Sequence, residues 1–440
     1  MADVRKTVKN ALVRVEEGGF SNLVWDNTLS ISELDNRDSA FGSALFYGVL
    51  ERKLTLDFVI GKFSKLPPSK ISTEVRAILR MGVYQMLFMD KVPESAAVDQ
   101  SVRLVKNSKN RNAAGFVNAL LRSVARAGDN VLDFSKLKEE DKLSVQYSVP
   151  RELVTHLLNN YGMESTVGIL SHSFGRPTFN VRVNTLKTTS DDLKTALCEQ
   201  GARVEESTVC PNFLEISGLG SLDKCKQFTD GHFHVQDTAS GLCCEALNPK
   251  KGERVLDLCA APGGKSFTMA EMMENKGELL SLDLYDHKIK LINDGASRLG
   301  IDVIKAQIND AEKNNTDLGT FNKVLFDLPC SGLGIIGRKP EIRYKNVAIL
   351  DIFPDLQYSI LCQNVDRMES GAVAVYSTCT LNPFENQKTV ERFLNEHKSF
   401  EPYPILPHLE RVMGEKENMI TLMPHIHGTD GFFISAFRKK

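Results

Sequence analysis

Two cysteines of this 440-residue chain stand where a thiol can react rather than merely pack. Cys330 lies in Asp327-Leu328-Pro329-Cys330-Ser331-Gly332, and Cys379 lies in Tyr376-Ser377-Thr378-Cys379-Thr380. Each follows an apolar run, KVLFDLP or AVAVYSTC, that reads as a strand, so each thiol belongs to a strand end. A cysteine that only fills a core needs no such place. One reaction in particular calls for a thiolate there, because carbon 5 of cytosine is too weak a nucleophile to accept a methyl group directly. Thiolate addition at carbon 6 turns the ring into an enamine, whose carbon 5 can displace an activated methyl. Loss of the carbon 5 proton and elimination of the thiol then restore the aromatic ring. An acid at Asp327 would meet nitrogen 3 or the amino group as charge develops, and the second thiol would be free to assist release.

A cofactor loop precedes the thiols. The run Val255-Leu256-Asp257-Leu258 leads directly into Cys259-Ala260-Ala261-Pro262-Gly263-Gly264-Lys265-Ser266, and the helical FTMAEMMEN follows. Small residues let the backbone approach a ligand, and the helix start offers N–H groups to anionic oxygens. Gly-Gly-Lys-Ser invites a phosphate-loop reading, but that loop requires glycine where Cys259 stands. The next strand, GELLSLDL, carries Asp283, twenty positions after Gly263 and placed to accept both hydroxyls of a ribose. A third strand, VIKAQI, ends at Asn309-Asp310, which suits an adenine edge. The ordered set implies an adenosine-bearing cofactor. With no acidic pair or metal motif nearby and chemistry resting on thiols, S-adenosylmethionine is favoured over a dinucleotide, and no metal is expected.

These residues need a scaffold that brings strand ends together. After residue 250 apolar strands alternate with amphipathic helices, the pattern of right-handed βαβ units and a parallel, Rossmann-like sheet that binds ligands at its carboxyl ends. Before it, TFNVRVNTL, SDDLKTALCEQG, FLEISG and GHFHVQD suggest a small α+β module. Up to about residue 128 the apolar spacing is helical, in SAFGSALFYGVLERKLTLDFVIGKF, STEVRAILRMGVYQMLFM and AAGFVNALLRSVARA, with Pro67, Pro68 and Pro93 as punctuation. The charged KLKEEDK reads as a linker, and a helix is expected from PRELVTHLLNNYG. The expected division is therefore 1–135 all-α, 136–240 a linker helix with the α+β module, and 241–440 the α/β catalytic part.

Composition sets outer limits. Hydrophobic residues at 42% and charged residues at 25% exclude a disordered chain, and the length favours more than one core. No run is apolar enough for a bilayer crossing or a signal segment, so a cytoplasmic protein with no membrane partner is expected. Nine cysteines without a Cys-x-x-Cys pair do not form a zinc ribbon or a disulfide framework; Cys243 and Cys244, in ASGLCCEALN, read as buried helix packing. The pairs His232 and His234, and His425 and His427, lack acidic or thiol partners and are not read as metal sites. The net charge of -2 divides unevenly: residues 1–130 carry 19 Lys and Arg against 14 Asp and Glu, a balance that suits a polyanionic partner.

LDLCAAPGGKS, DLPCSG and STCT, in that order, resemble the RNA 5-methylcytosine methyltransferases of the Sun (RsmB, Fmu) and Nop2 group. RDSAFGSALFYGVLERK, LRMGVYQMLFMDKVPESAAVDQSV and AAGFVNALLRSVAR are similar to the NusB-like RNA-binding domain that the Sun type carries, and HIHGTDGFFISAFRK is similar to its closing strand. The resemblance implies a cytosine of 16S ribosomal RNA as substrate, position 967 in the family, with no protein partner. It implies cofactor contacts from Cys259 through Lys265 and from Asp283, Asp310 and Asp327, with Asp327 also serving catalysis. It further implies Cys379 as the nucleophile and Cys330 as the thiol that promotes release; the order of the motifs alone does not choose between them. Thr380 stands where many relatives have serine, and Asn309 where others have glycine or leucine. Two rival readings are a transfer-RNA cytosine methyltransferase and a non-catalytic RNA-binding or antitermination factor. The latter would have no use for two loop thiols beside a cofactor site.

Overall fold

The structure is a computed structural model that describes residues 3–175, 178–313 and 318–440. By packing, the chain forms two compact units. One comprises Met1–Phe174 with Ile336–Lys345, the other Gly175–Ile335 with Asn346–Lys440.

The first unit is helical throughout. Its helix Thr73–Phe88 buries Val75, Ala77, Ile78, Leu79, Met81 and Val83, a nearly all-round apolar surface that only a central helix can hide. Around it lie Val4–Glu16, Asn36–Glu51, Lys53–Phe63, Glu94–Lys106 and Ala114–Ala127, with Trp25 stacked on Phe46 in the core. Local chemistry fixes the ends: Asp3 caps the first helix by accepting from the Arg5 and Lys6 amides, and Asp35 caps Asn36–Glu51 through the Asp38 amide at 2.7 Å. The apolar run read as one segment breaks into two helices at Arg52, whose φ of -109° and ψ of 20° leave the helical region. KLKEEDK is not simply a linker. Its acids open the helix Glu139–Tyr147, where negative charge meets the positive helix start. The expected helix Arg151–His172 is kinked at Gly162, where φ is 70°. The segment Ile336–Lys345 was read as part of the catalytic sheet region, yet it packs in this helical unit. Arg343 is fully buried and donates to the Tyr147 carbonyl at 3.1 Å, while the Tyr344 hydroxyl donates to the Leu50 carbonyl at 2.7 Å.

The second unit holds two sheets. The smaller is antiparallel, built from β1 (Phe179–Val183), β2 (Arg203–Glu206), β3 (Phe213–Ser217) and β4 (Phe233–Val235) in the order β2-β3-β1-β4. Strand β2 has only one buried residue in four, which explains why periodicity missed it. The larger sheet contains β5 (Arg254–Asp257), β6 (Glu278–Asp283), β7 (Ile304–Ile308), β8 (Phe321–Asp327), β9 (Met368–Thr378), β10 (Phe400–Pro402), β11 (Met419–Leu422) and β12 (Phe432–Lys439). Its order is β10-β12-β9-β8-β5-β6-β7, with β11 paired to β12. Strands β5 to β9 are mutually parallel, and β12 runs antiparallel against β9. The chain order reverses between β5 and β8, so a crevice opens at their carboxyl ends. The five expected strands and the closing strand are all present. Cys243 and Cys244 are fully buried in the helix Thr238–Leu247, and burial pushes the Cys243 thiol up to about 12, which keeps it unreactive at neutral pH. Among the described residues no helix is long and apolar enough to cross a membrane, and no group of three or more His, Cys, Asp or Glu could hold a metal ion.

Candidate active site

Strand β5 ends at Asp257, and the chain then turns through the small residues predicted to meet a cofactor. The turn is held by two backbone bonds, Ala260 N–H to the Leu282 carbonyl and Gly263 N–H to the Ala260 carbonyl, both 2.8 Å. Gly263 has φ +111°, and a Cβ there would lie 2.4 Å from the Phe267 ring, so no other residue fits. The helix Gly264–Met272 follows with no side chain capping its first turn. Asp257 was not singled out from sequence. It is fully buried; one carboxylate oxygen accepts the Ser266 hydroxyl at 2.7 Å and the other has no hydrogen-bond partner. Burial pushes its pKa up to about 7, against the opposing bond from Ser266.

Asp283 closes β6 almost wholly buried, accepting the Ala261 amide at 3.3 Å and pairing with Lys288 at 3.2 Å. Beyond it Leu284 and Tyr285 are about half exposed, as is Ile308 at the end of β7. Three apolar side chains left open at adjacent strand ends suit the face of a planar base, a feature that the sequence did not mark. Asp310 turns onto its own loop, bonding Lys313 at 2.9 Å and the Glu312 amide at 3.1 Å, and these partners lower its pKa. Its neighbour Asn309 is the buried member, donating its amide to the Asp283 carbonyl at 2.9 Å. Cys259 lies in the turn, and burial raises its pKa.

The thiol half joins this half through one ion pair. Asp327 ends β8 and accepts Lys265 Nζ at 2.8 Å on one oxygen and the Ser377 hydroxyl at 2.8 Å on the other. Burial opposes the charge on Lys265, but the adjacent Asp327 carboxylate outweighs it and raises the lysine pKa. Next to this pair the two thiols meet, with Cys330 Sγ and Cys379 Sγ 3.3 Å apart. The hydrogen bond with Cys379, then burial, push the Cys330 thiol well above its ordinary pKa, and the Glu385 charge adds to this. Cys330 therefore holds its proton at neutral pH. The two loops are stitched further by Gly334, whose amide donates to the Cys379 carbonyl at 3.0 Å and whose carbonyl accepts the Gly431 amide at 2.9 Å. A Cβ at Gly334 would collide with the Gly431 carbonyl at 1.7 Å.

Lys265 is thus paired with Asp327 at the end of β8, Cys330 and Cys379 meet in the loops after β8 and β9, and Ala261 and Asp283 adjoin each other beside the cofactor loop. Asp310 makes no recorded bond to any of these groups.

Residues 244–438 match the family described as 16S rRNA methyltransferase RsmB/F, and 149–222 match the ferredoxin-like domain of RsmF/B-like methyltransferases. Residues 2–126 match the NusB family. A probable ribosomal RNA small subunit methyltransferase B of Bacillus subtilis is 35% identical, over 99% of each chain. The chain belongs to the RsmB/F family of rRNA methyltransferases. A protein of the same description from Synechocystis is 32% identical over 96% of this chain and 95% of its own. Among solved structures, that of PH0851 is 26% identical with a TM-score of 0.84, covering 100% of this chain and 99% of the other. A methyltransferase homolog from Pyrococcus horikoshii is 25% identical with a TM-score of 0.62, over 69% of this chain and all of its own. The three-part architecture, a NusB-like helical domain, a small α+β module and a Rossmann-like domain, is that of the family.

S-adenosylmethionine is the cofactor of this methyltransferase, and the residues present fit it. The unpartnered oxygen of buried Asp257 beside the glycine turn is an acceptor awaiting a donor such as an ammonium group. Asp283 would offer a carboxylate to ribose hydroxyls, and Leu284, Tyr285 and Ile308 would offer apolar surface to adenine.

Proposed function

We propose that this RsmB/F methyltransferase methylates carbon 5 of a cytosine in 16S ribosomal RNA through a covalent adduct on Cys379. One observation carries the reading: two thiols from the ends of adjacent parallel strands stand 3.3 Å apart, beside an aspartate already paired with the cofactor-loop lysine. Methylation of a nitrogen or a ribose oxygen would need no nucleophilic thiol, and certainly not two. Full-length similarity to relatives described as ribosomal RNA small subunit methyltransferases supports the choice of RNA.

Bound S-adenosylmethionine supplies an electrophilic methyl group. Cys379, as thiolate, forms a bond to carbon 6, and the ring electrons move to carbon 5, which becomes the nucleophile for that methyl. Asp327 faces nitrogen 3 and the amino group, where its carboxylate stabilises the protonated ring; Lys265 and Ser377 hold it in place. After transfer, the carbon 5 proton passes to a solvent base, the C–H electron pair rebuilds the double bond, and Cys379 departs as thiolate. The Cys330 thiol, 3.3 Å away and held protonated, is the hydrogen-bond donor that stabilises this departing sulfur.

The test separates the thiols. Cys330→Ala should accumulate a protein–RNA adduct that survives denaturing electrophoresis, whereas Cys379→Ala should form no adduct and no 5-methylcytosine. An adduct that builds in Cys379→Ala instead would make Cys330 the nucleophile. Bisulfite sequencing of 16S RNA from a strain lacking the gene should show one cytosine that has lost its methyl; an unchanged pattern would remove ribosomal RNA as the substrate.

A further inference from the structure

The two thiols come from loops 49 residues apart, and covalent geometry does not hold them at 3.3 Å. Beside the backbone bonds between the two loops stands a buried carboxylate that ties them together through side chains. Glu385 is fully buried in the turn after Cys379, and both of its oxygens are filled by donors. One accepts the Ser331 hydroxyl at 2.5 Å and Asn382 Nδ2 at 3.0 Å; the other accepts the Ser331 amide at 2.9 Å and Gln357 Nε2 at 3.0 Å. Ser331 is the residue after Cys330, and its hydroxyl lies 2.6 Å from that of Thr380, the residue after Cys379. Because the Ser331 proton is directed at Glu385, the Thr380 hydroxyl must be the donor of this contact. A relay from Thr380 through Ser331 to Glu385 therefore spans both loops next to the thiols themselves. Gln357 extends it by donating also to the Pro329 carbonyl at 2.9 Å, on the other side of Cys330.

We propose that Glu385 is the positioning residue of the thiol pair, its carboxylate setting the distance and facing of Cys330 and Cys379 for attack and release. Four donors converge on it, so only an ionised, acceptor-only group satisfies the site. An amide there would turn its own N–H groups against donors, and the relay would come apart. Its charge, placed behind Ser331, also helps to keep Cys330 protonated. Asp257 and Asp283, at the ends of β5 and β6, and Cys259 through Lys265, in the turn and helix after β5, bond to other partners and not to this network.

The proposal rests on the reading of Cys330 and Cys379 as the reacting pair, and two readouts keep the two ideas apart. Phenylarsine oxide condenses with two close thiols, forming two arsenic–sulfur bonds with release of water. The full chain should be bridged by it and Cys330→Ala should not. Glu385→Gln, checked for folding by circular dichroism and for unchanged S-adenosylhomocysteine binding, should be bridged far more slowly. Combined with Cys330→Ala, in which the adduct accumulates, it should slow RNA-adduct formation about a hundredfold, as expected for reacting atoms displaced by an ångström, with affinity for RNA retained. Glu385→Asp, which keeps the charge but shortens the reach, should recover part of both. A folded Glu385→Gln that is bridged at the native rate, and that leaves adduct formation in Cys330→Ala unchanged, overturns the proposal. If Glu385→Gln does not fold, Ser331→Ala, which removes the middle of the relay, is read in the same way, and native bridging in it is equally fatal. If the native chain is bridged by the arsenical yet Cys330→Ala forms no adduct with RNA, the covalent reading fails while the arsenical comparison still decides the role of Glu385.

Discussion

The two halves of the active site are built by different means. The cofactor half is local: a glycine turn, the helix after it and an aspartate at the next strand end are joined by backbone bonds such as Ala260 N–H to the Leu282 carbonyl. One of its buried acceptors, an oxygen of Asp257, is unpaired, and apolar Leu284 and Ile308 are exposed. The thiol half is assembled from distant segments and is already saturated: Ser331, Gln357, Thr380, Asn382 and Glu385 are all fully buried and hydrogen-bonded to one another. The difference teaches which half waits for a ligand and which half must be right before the ligand arrives. An unfilled acceptor is completed by binding, whereas reacting thiols must be held in place beforehand.

That contrast can be broken most severely at Asp327, where the halves meet. Asp327→Asn keeps the shape but removes the charge, and should lower the single-turnover rate of methyl transfer by about 10²–10³-fold. It should also reduce stability at neutral pH, because Lys265 has its pKa raised in the folded state by Asp327. Such a lysine adds stability that is complete below its unfolded pKa of 10.5 and disappears as pH rises through the higher folded value, so the loss should show throughout the neutral range in thermal melts. If Asp327→Asn instead abolished S-adenosylhomocysteine binding and left transfer from saturating cofactor intact, Asp327 would belong to the cofactor half alone.

A substitution confined to the cofactor half should do the reverse. Asp283→Ala should weaken S-adenosylhomocysteine binding by about 1–3 kcal/mol, the cost of leaving hydroxyls without a charged acceptor, with adduct formation at saturating cofactor preserved. Calorimetry measures the first and denaturing gels the second.

Asp257 gives the pH signature of a site awaiting its ligand. Its folded pKa, about 7, stands above the ordinary 3.8, so the folded state holds a proton that the unfolded state has released between those values. Stability from this group is therefore greatest at low pH and falls as pH rises from about 4 to 7. Asp257→Asn should remove that slope, gaining on the native chain by up to about 3 kcal/mol at pH 8 relative to pH 5 in chemical denaturation without cofactor. Equal slopes in the two proteins would show that the buried carboxylate is already compensated.

The smallest expected effect lies in the helical unit. Lys106, Lys109 and Arg111 are exposed at the end of the helix Glu94–Lys106 and just beyond it. Replacing all three with alanine should weaken RNA binding and lower its salt slope by about 0.9 for each phosphate contact removed. An unchanged slope would assign the basic balance of this unit to something other than phosphate contacts.

What could be read from the chain alone follows one physical line: features encoded within a few consecutive residues. The glycine turn, the apolar strands, the acid ending β6 and the thiols after β8 and β9 each announce themselves locally, because strand period and turn chemistry are short-range. The family resemblance worked on the same stretches. The break at Arg52 was missed because apolar spacing continues across it while only the backbone dihedrals change. Strand β2 escaped because a solvated edge strand has no buried face to repeat. Glu385 was invisible for a deeper reason. A glutamate seven residues past a strand in a polar run reads as a solvated charge, and nothing nearby states that Ser331 and Gln357 will fold against it. The same holds for Asp327, whose partner lysine lies 62 residues upstream, and for Ile336–Lys345, a segment without apolar period whose Arg343 is buried by helices far earlier in the chain. The amino-acid order determined which groups are able to react and which strand ends carry them. Only tertiary packing decided what raises the Cys330 pKa, what brings the pair within 3.3 Å and which acceptor is left open, because the energy of a buried charge or hydrogen bond depends on partners that the fold alone brings within reach.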